Sequence, residues 1–332
     1  MNLCRRFFRA GSLLSLFAFS LVFPSPVFAG PIRDGGIDPS NLGKGDWIYI
    51  LPNAINQMGG YEPGVTDLNS MMIFLKNQGL RYIIIKAGDG TTLYPSANAP
   101  QFTASVVNAG HAAGLLVFGY NRSYGLDLTG ESAISDYVFN AGADGFVFDA
   151  EIEWESQNLA NNTMLATQLC SMVRSNWPNK FLAHSPFPII SYHSTFPYKE
   201  FGYYCDAVMP QDYWIEIGTT PSAMVSTMTA EWKNWQSSLS GKWINSIKPI
   251  AAAGQGWTSA NGTINAAQIT QFFSALKTQA GPATTGGYKG VNFWRAELHP
   301  TDVWDAIRTN SIVVSSNAPV ISNVSAGNVT AS

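Results

Sequence analysis

The sequence predicts an α/β protein in which eight parallel strands, each followed by a helix, form a single-domain (β/α)8 barrel, the TIM-barrel fold. Eight short apolar runs alternate with helical patterns over roughly 265 residues, a usual size for that fold. Acidic, amide and aromatic residues also gather after the strands, where TIM barrels carry their sites. A doubly wound open sheet is the alternative, but the chain has no glycine-rich dinucleotide fingerprint to support it.

The first residues form a secretory signal peptide rather than part of the fold. Arg5, Arg6 and Arg9 give the first nine residues a positive charge, and residues 13–22 are mostly apolar and uncharged. A small-residue cleavage pattern then ends at Ala29. The apolar stretch is too short for a confident membrane span. We therefore expect residues 1–29 to be removed and the mature protein to be secreted, extracellular or periplasmic, with no membrane attachment afterwards.

The rest of the chain divides into a lead-in, one barrel domain and a tail. Residues 30–45 are rich in Gly, Pro and Asp, and residues 46–312 carry the strand–helix repeats. From Ser315 the composition becomes that of a linker. A strand-like segment follows that resembles the opening strand of a fibronectin type III module. We expect residues 313–332 to be this linker and strand start, and to be disordered.

The predicted strands are mostly short apolar runs, as expected for parallel strands covered on both faces. They span residues 47–51, 82–86, 115–120, 145–151, 181–185, 207–211, 248–253 and 290–294. Helical patterns separate them, and Asp67 and Asp302 provide N-terminal caps for two of these helices. The predicted helices span residues 65–78, 103–113, 130–141, 158–176, 222–238, 266–280 and 300–309, whereas residues 191–202 are expected to be short or irregular.

The composition favours an extracellular protein that binds sugars. Charged residues make up 12% of the chain and aromatic residues 13%, with ten tryptophans. Tryptophan faces stack on pyranose rings, although they also fill cores. Loss of the signal arginines takes the formal net charge from −3 to about −6, unlike the basic surface of a nucleic-acid-binding protein. We expect a monomer whose partner is a polysaccharide or oligosaccharide, not a nucleic acid.

Cys170 and Cys205 remain after signal cleavage. Export permits a disulfide, and two separate buried thiols are the alternative. One cysteine lies late in the helix after the fourth strand and the other just before the sixth strand. Adjacent β/α units can bring such positions within bridging distance, so we predict a disulfide. The four histidines are scattered without metal-ligand spacing, and we predict neither a metal nor a cofactor.

The run Asp-Gly-Phe-Val-Phe-Asp-Ala-Glu at residues 144–151 is the most informative feature of the chain. Alternation along a strand places Asp149 and Glu151 on the same face, one pleat apart. An ionised carboxylate at the end of a buried strand is costly unless it is paired or faces a site. Since few Lys and Arg residues are available as partners, the two carboxylates predict acid–base chemistry rather than ion pairing.

Polar and aromatic residues follow the other predicted strands as well, and would meet at one mouth of the barrel. Acids, amides and aromatic rings together are typical of a carbohydrate cleft. Each alone has a structural alternative, such as a barrel ion pair for Lys86 or a core position for Tyr120. The full set is Asn53, Gln57, Lys86, Asp89, Tyr120, Asn121, Arg122, Asp149, Glu151, Glu153, His184, Gln211, Asp212, Tyr213, Trp214, Gln255, Trp257, Trp294 and Glu297.

The fourth-strand run resembles the Asp-Gly-x-Asp-x-Asp-x-Glu signature of the family 18 glycoside hydrolases, the chitinases and endo-β-N-acetylglucosaminidases. Asp149 and Glu151 match its last two acids, whereas Val147 replaces the first acid of the triplet. Residues 209–212 match the sixth-strand Met-x-Tyr-Asp pattern except at Gln211, and Gly290 stands four residues before Trp294 as in the eighth strand. The resemblance covers residues 46–312, but the third strand lacks the family's Ser-x-Gly-Gly pattern.

A second resemblance is to the family 25 muramidases, which also place Asp-x-Glu at the end of the fourth barrel strand. Residues 86–90, Lys-Ala-Gly-Asp-Gly, are similar to their Arg-Ala-Gly-Tyr-Gly pattern. The motifs do not separate the two families, so the sequence indicates a glycoside-hydrolase-like barrel.

The family 18 resemblance implies a role for each candidate. Glu151 would be the general acid, kept protonated by the neighbouring charge of Asp149. The substrate's own acetamido group would be the nucleophile, oriented by Asp149 and Asp212, with Gln211 donating its amide where the family uses a tyrosine hydroxyl. Trp294 would form the floor of the site. The remaining substrate-binding candidates are Tyr120, Tyr213, Trp214, Trp257, Lys86 and Glu297.

Two functions from different classes remain open. The first is a secreted glycoside hydrolase that cleaves a polysaccharide, with N-acetylated amino sugars among the candidate substrates. The second is a non-catalytic carbohydrate-binding barrel. The pair Asp149 and Glu151 favours the hydrolase, whereas Val147 and Gln211 favour the binding protein. A structural module that serves a downstream domain is a weaker third interpretation.

Overall fold

A computed structural model describes residues 31–279, 281 and 287–312. The predicted signal peptide and tail lie outside these residues. The strands are β1 (Gly43–Ile48), β2 (Tyr82–Asp89), β3 (Thr92–Leu93), β4 (Leu116–Ser123), β5 (Gly145–Ala150), β6 (Phe181–His184), β7 (Ala207–Val208), β8 (Gln211–Asp212), β9 (Ala252–Gln255) and β10 (Gly290–Trp294).

Among the described strands, nine form one curled parallel sheet in the order β7-β6-β5-β4-β2-β1-β10-β9-β8, and β3 pairs antiparallel with β2. The two ends of this order are consecutive in the chain, since only Met209 and Pro210 separate β7 from β8. Val208 also forms a parallel bridge with Ile250, just before β9. The α/β class is confirmed, and the curled parallel sheet fits a TIM-like barrel.

The helices alternate with the strands and cover the outer face of the sheet. They are α1 (Leu51–Tyr61), α2 (Leu68–Asn77), α3 (Ala104–Ala112), α4 (Leu128–Asn140), α5 (Asn162–Asn176), α6 (Tyr198–Tyr204), α7 (Trp214–Ile217), α8 (Pro221–Ser237), α9 (Ala266–Thr278) and α10 (Thr301–Thr309). Asp67 caps α2 by accepting a hydrogen bond from the backbone N–H of Ser70 at 2.8 Å. Asp302 does not cap α10 but accepts from the backbone N–H of Ala266, which ties α10 to α9.

The first and seventh predicted strands are shifted, and the sixth, residues 207–211, is divided into β7 and β8. β1 ends at Ile48, because Leu51 begins α1 with Pro52 in its first turn, a position that suits proline. The seventh barrel strand is β9 at Ala252–Gln255 rather than residues 248–253, and Ile250 contributes only the isolated bridge. Both shifts change which side chains lie at the mouth of the barrel.

The interior of the barrel is filled by large apolar side chains below the mouth. The rings of Tyr82 and Phe118 stack at 5.2 Å between centroids, and those of Phe118 and Phe181 at 5.0 Å. Val147 belongs to this interior cluster, whereas Phe146 and Phe148 pack with the helices in the outer cluster. The predicted alternation is thus present along β5, which is the fourth strand of the barrel. It places Asp149 and Glu151 on the same face as Val147, nearer the mouth.

The disulfide prediction is wrong in this structure. Cys170 in α5 and Cys205 after α6 are both buried free thiols. Burial raises the pKa of each thiol, so neither is poised as a thiolate. The structure therefore has the alternative arrangement, two buried thiols in neighbouring helical units.

Candidate active site

A cavity of about 320 Å³ opens where the barrel strands end. Ten residues of the set expected at the mouth of the barrel line it: Lys86, Asp89, Tyr120, Arg122, Asp149, Glu151, Gln211, Tyr213, Trp257 and Trp294. Four further residues complete its wall: Trp47, Tyr49, Tyr124 and Ser185. The structure therefore brings most of the proposed residues to one place.

The side-chain amide of Gln211 contacts the carboxyl groups of both Asp149 and Glu151, at the end of β5. Gln211 Nε2 donates to Asp149 Oδ1 at 3.3 Å and to Glu151 Oε1 at 3.1 Å, and it also contacts the Ser185 carbonyl oxygen at 3.3 Å. Because both bonds, of 3.3 Å and 3.1 Å, share the Gln211 nitrogen, the two accepting oxygens cannot be further apart than the sum of the two bond lengths. This largest possible separation is shorter than the roughly 6.5–9.5 Å between the two carboxyl groups of inverting glycosidases.

Arg122, at the end of β4, is the cation that contacts the carboxyl pair. Its Nη1 binds Glu151 Oε1 and lies 3.9 Å from Asp149 Oδ2. Its Nη2 donates to both oxygens of Glu153 at 2.8 Å. One guanidinium therefore serves three carboxyl groups, and its contact with Glu151 is a charge-assisted hydrogen bond of the strong kind.

Asp149 is the carboxyl whose environment disfavours a charge. Burial, followed by the negative charge of Glu151, raises the pKa of Asp149 to about 8, although Arg122 and Lys86 oppose the rise. The carboxyl of Asp149 therefore holds its proton more firmly than an ordinary aspartate does. The sequence analysis expected the retained proton on Glu151, and the ion pair with Arg122 is what distinguishes the two positions.

Lys86, on β2, lies between aromatic rings on the cavity wall. Its Nζ sits 4.5 Å from the ring centroid of Tyr49 and 4.6 Å from that of Tyr94, and it donates to Asp89 Oδ2 at 2.6 Å. The Tyr124 hydroxyl donates to the other Asp89 oxygen at 2.7 Å. Lys86 therefore combines the barrel ion pair considered as its structural alternative with a position on the cavity wall.

Aromatic rings form two sides of the cavity. Trp294 packs edge-on against Trp47, with ring centroids 5.5 Å apart, and Tyr213 meets Trp257 at 4.8 Å. Among the described residues, nothing hydrogen-bonds the hydroxyl of Tyr120, which lies on the wall. Flat apolar rings beside polar groups are what a pyranose ring needs for stacking and orientation.

Comparisons with known proteins identify the fold. No protein-family model matches the chain, and no curated protein matches it by sequence. Its structure is similar to a GH18 chitinase from Pseudoalteromonas aurantia, with a TM-score of 0.56, 13% identity, and coverage of 80% of this chain and 98% of that one. The chain has a GH18-like TIM-barrel fold.

Two further solved structures are similar. The C-terminal domain of Legionella pneumophila ChiA has a TM-score of 0.52 and 14% identity, covering 80% of this chain and 96% of that one. The exo-β-1,4-mannosidase Op5Man5 from Opitutaceae bacterium strain TAV5 has a TM-score of 0.51 and 10% identity, covering 86% of this chain and 58% of that one. Identities this low establish the fold and leave the reaction to the chemistry of the site.

Three residues to which the sequence analysis gave a role, Asp212, Trp214 and Glu297, lie outside the cavity. Asp212 alternates with Gln211 along β8 and is fully buried away from the cavity, where burial raises its pKa well above the usual range. Trp214 is also fully buried, with its ring 5.0 Å from that of Phe272. Neither side chain is placed to touch a ligand in the cavity.

Glu297 supports the scaffold instead of lining the site. Its Oε1 accepts hydrogen bonds from the backbone N–H groups of Tyr49 at 3.0 Å and Ile50 at 2.8 Å, just before α1. A carboxylate at a helix N-terminus is stabilising because it satisfies free N–H groups and complements the helix dipole. Six other residues grouped at strand ends also lie off the cavity wall: Asn53, Gln57, Asn121, Glu153, His184 and Gln255.

Sequence reasoning gave no role to several residues of the wall. Trp47 and Tyr49 alternate at the end of β1, and a correct placement of that strand would have pointed to them. Arg122 and Asp89 were grouped at strand ends but received no role. Within the part of the chain that the structure describes, no group of three or more His, Cys, Asp or Glu side chains is arranged to hold a metal ion, and no helix is long and apolar enough to cross a membrane.

Proposed function

We propose that the protein is a secreted glycoside hydrolase that cleaves a polysaccharide, with an N-acetylated amino sugar at the scissile bond. The observation that carries the proposal is the carboxyl pair Asp149 and Glu151, joined by Gln211 in a cavity walled by aromatic rings. Cleavage of a glycosidic bond needs a proton for the leaving oxygen and negative charge near the anomeric carbon. A protonated and an ionised carboxyl side by side supply both.

The position of the pair on one strand favours an amino-sugar substrate. In the two-carboxylate mechanism the acid and the second carboxylate flank the glycosidic bond. Asp149 lies near the end of β5 and Glu151 follows directly after the strand, and both line the same cavity, so they approach the sugar from the same side. A substrate whose own acetamido oxygen attacks the anomeric carbon does not need a carboxylate on the far side. The signal-like N-terminal sequence supports secretion.

The test is a substrate screen with purified mature protein. Release of reducing ends from chitin, peptidoglycan and a panel of plant polysaccharides would be measured for the wild type and for Asp149→Asn combined with Glu151→Gln. Asp305→Asn, which changes an exposed carboxylate paired with Arg308, is the matched control. We expect activity on an amino-sugar polymer that the double variant loses and the control keeps; a double variant with full activity would place the chemistry elsewhere.

A second candidate, a non-catalytic carbohydrate-binding barrel, is favoured by one observation. The ion pair between Arg122 and Glu151 occupies an oxygen that a hydrolase would turn toward its substrate. Calorimetric titration with the oligosaccharides of the same polymers separates the two candidates, because a binding protein gives heat of binding but no product.

A further inference from the structure

We propose that the two carboxyls exchange the roles that the signature gives them: Asp149 donates the proton to the leaving oxygen, and Arg122 is a positioning residue that holds Glu151 as the anion. The inference rests on the proposed hydrolase function and deepens it, because it states which atom carries the proton.

The geometry around Glu151 favours the carboxylate form. Its Oε1 accepts from Arg122 Nη1 and from Gln211 Nε2, and hydrogen bonds donated to a carboxylate stabilise the charged form. Arg122 cannot turn away freely, since its Nη2 is held by both oxygens of Glu153. A guanidinium has only donors, so a proton on the oxygen that faces it would meet another N–H group.

The surroundings of Asp149 favour the acid form. Its Oδ1 accepts one long hydrogen bond from Gln211, and no described residue donates a hydrogen bond to its Oδ2, which lies 3.9 Å from Arg122. A proton on Oδ2 therefore meets no hydrogen-bond donor among the described residues. The charged and titratable groups that face Asp149 are Glu151 and Glu153 after β5, Arg122 and Tyr120 on β4, Lys86 on β2 and Tyr213 after β8.

The negative charges of Glu151 and Glu153 favour the protonated form of Asp149, and the positive charges of Arg122 and Lys86 favour its ionised form. Because these charges oppose each other, burial decides which form is favoured. The side chain of Asp149 is 11% exposed, against 27% for Glu151 and 34% for Glu153. The raised pKa of Asp149 agrees with the smaller exposure of its side chain, since burial is the first cause of the rise. The hydroxyls of Tyr120 and Tyr213 stay neutral, since burial raises the pKa of both well above the usual range.

The Asp149 proton passes to the glycosidic oxygen as the bond to the anomeric carbon breaks, and the bonding electron pair stays on that oxygen, which leaves as an alcohol. The acetamido oxygen of the substrate bonds to the anomeric carbon, and the resulting positive charge faces the Glu151 carboxylate. Water then adds to the anomeric carbon, the bond to the acetamido oxygen breaks, and the proton of the water returns to Asp149.

The first test compares leaving groups. A nitrophenyl glycoside of the active sugar releases a stable anion and needs little acid assistance, whereas the polymer needs a proton. We expect Asp149→Asn to lose about 10²–10⁴-fold on the polymer and to keep most activity on the nitrophenyl glycoside, and Glu151→Gln to lose activity on both. The opposite pattern, with Glu151→Gln rescued by the activated leaving group, would return the acid role to Glu151.

The second test addresses Arg122 through the pH profile of kcat/KM. The charge of Arg122 lowers the pKa of Asp149, so Arg122→Met should move the alkaline limb of the profile to higher pH, and Arg122→Lys should restore it. Arg308→Met, which removes an exposed arginine paired with Asp305, should leave the limb in place. An unchanged alkaline limb in a folded Arg122→Met variant would refute the positioning role.

A third measurement needs no turnover. In protein labelled with ¹³C at the aspartate side-chain carboxyls, the resonance that is missing from Asp149→Asn belongs to Asp149. We expect it to titrate near pH 8 in the wild type. A carboxylate resonance at pH 6 would overturn the inference, whatever the substrate screen shows. Titration near pH 8 in a protein that cleaves no polymer would instead reject the proposed function and keep the protonation assignment.

Discussion

Replacement of Asp149 by asparagine is expected to stabilise the fold by an amount that grows with pH. The carboxyl has a pKa of about 8 in the folded protein, against about 3.9 for an aspartate in an unfolded chain. The folded state therefore keeps a proton that the unfolded chain releases. Its contribution to stability is fully present below about pH 4 and is lost as the pH rises through about 8, because ionisation is easier in the unfolded chain. Asparagine does not titrate, so Asp149→Asn escapes this loss.

The size of the stabilisation follows from the difference between the pKa values of Asp149 in the folded and the unfolded protein. About four pKa units at about 1.4 kcal/mol each set an upper limit of roughly 6 kcal/mol above pH 8. Part of this is offset, because Arg122 loses an anion 3.9 Å away and an amide does not reproduce both oxygens of the acid. We expect a net gain of roughly 2–4 kcal/mol above pH 8 and almost none at pH 4–5.

Guanidinium denaturation at pH 5 and at pH 8.5 measures the gain. The m-value should be unchanged between wild type and variant, so that a shift in midpoint reports the free energy of unfolding. Asp305→Asn, at an exposed position, is the matched control and should show no pH-dependent gain. Equal stability of wild type and Asp149→Asn at both pH values, or a variant less stable at pH 8.5, would refute the buried and protonated state of Asp149.

Three further predictions address the floor, the thiols and the interior. Trp294→Ala should weaken oligosaccharide binding by about 0.5–1.5 kcal/mol in calorimetry with little change in kcat, because stacking acts on ground and transition states alike; a fall in kcat alone would contradict this. Thiol titration of the unfolded, unreduced mature protein should find the thiols of both Cys170 and Cys205, and their absence would restore the disulfide. Val147→Asp, which supplies the first acid of the family 18 signature, should lower the free energy of unfolding by at least about 2 kcal/mol more than Val147→Ala, since it places a carboxyl in an apolar layer; equal losses would show a partner for the new acid.

The period-two pattern of the fourth barrel strand carried most of what the sequence could predict. It places Val147, Asp149 and Glu151 on the interior face, and the structure has Val147 in the barrel core with the two carboxyls above it. The same rule separates Gln211 and Tyr213, which line the cavity, from Asp212 and Trp214, which do not. The resemblance to Met-x-Tyr-Asp led to Asp212, whereas alternation along the strand would have excluded it.

The ion pairs of the site could not be predicted from the sequence, because they depend on the register between strands. The structure places Arg122 of β4 directly opposite Asp149 of β5. The sequence analysis judged ion pairing of the acids improbable because Lys and Arg are few. One guanidinium that contacts three carboxyls removes that objection, since a single well-placed cation replaces several.

The departures from the family 18 pattern make sense together when the charge of the site is considered. Asp89, Asp149, Glu151 and Glu153 would carry four negative charges against the two positive charges of Lys86 and Arg122. A buried site with such an excess holds a proton more firmly. Arg122 binds the two more exposed carboxyls, so the proton remains on the most buried one, Asp149. Val147 adds no further acid below it, and Gln211 donates to both members of the pair without a charge of its own. The balance therefore depends on Arg122, a residue that the family 18 signature does not include.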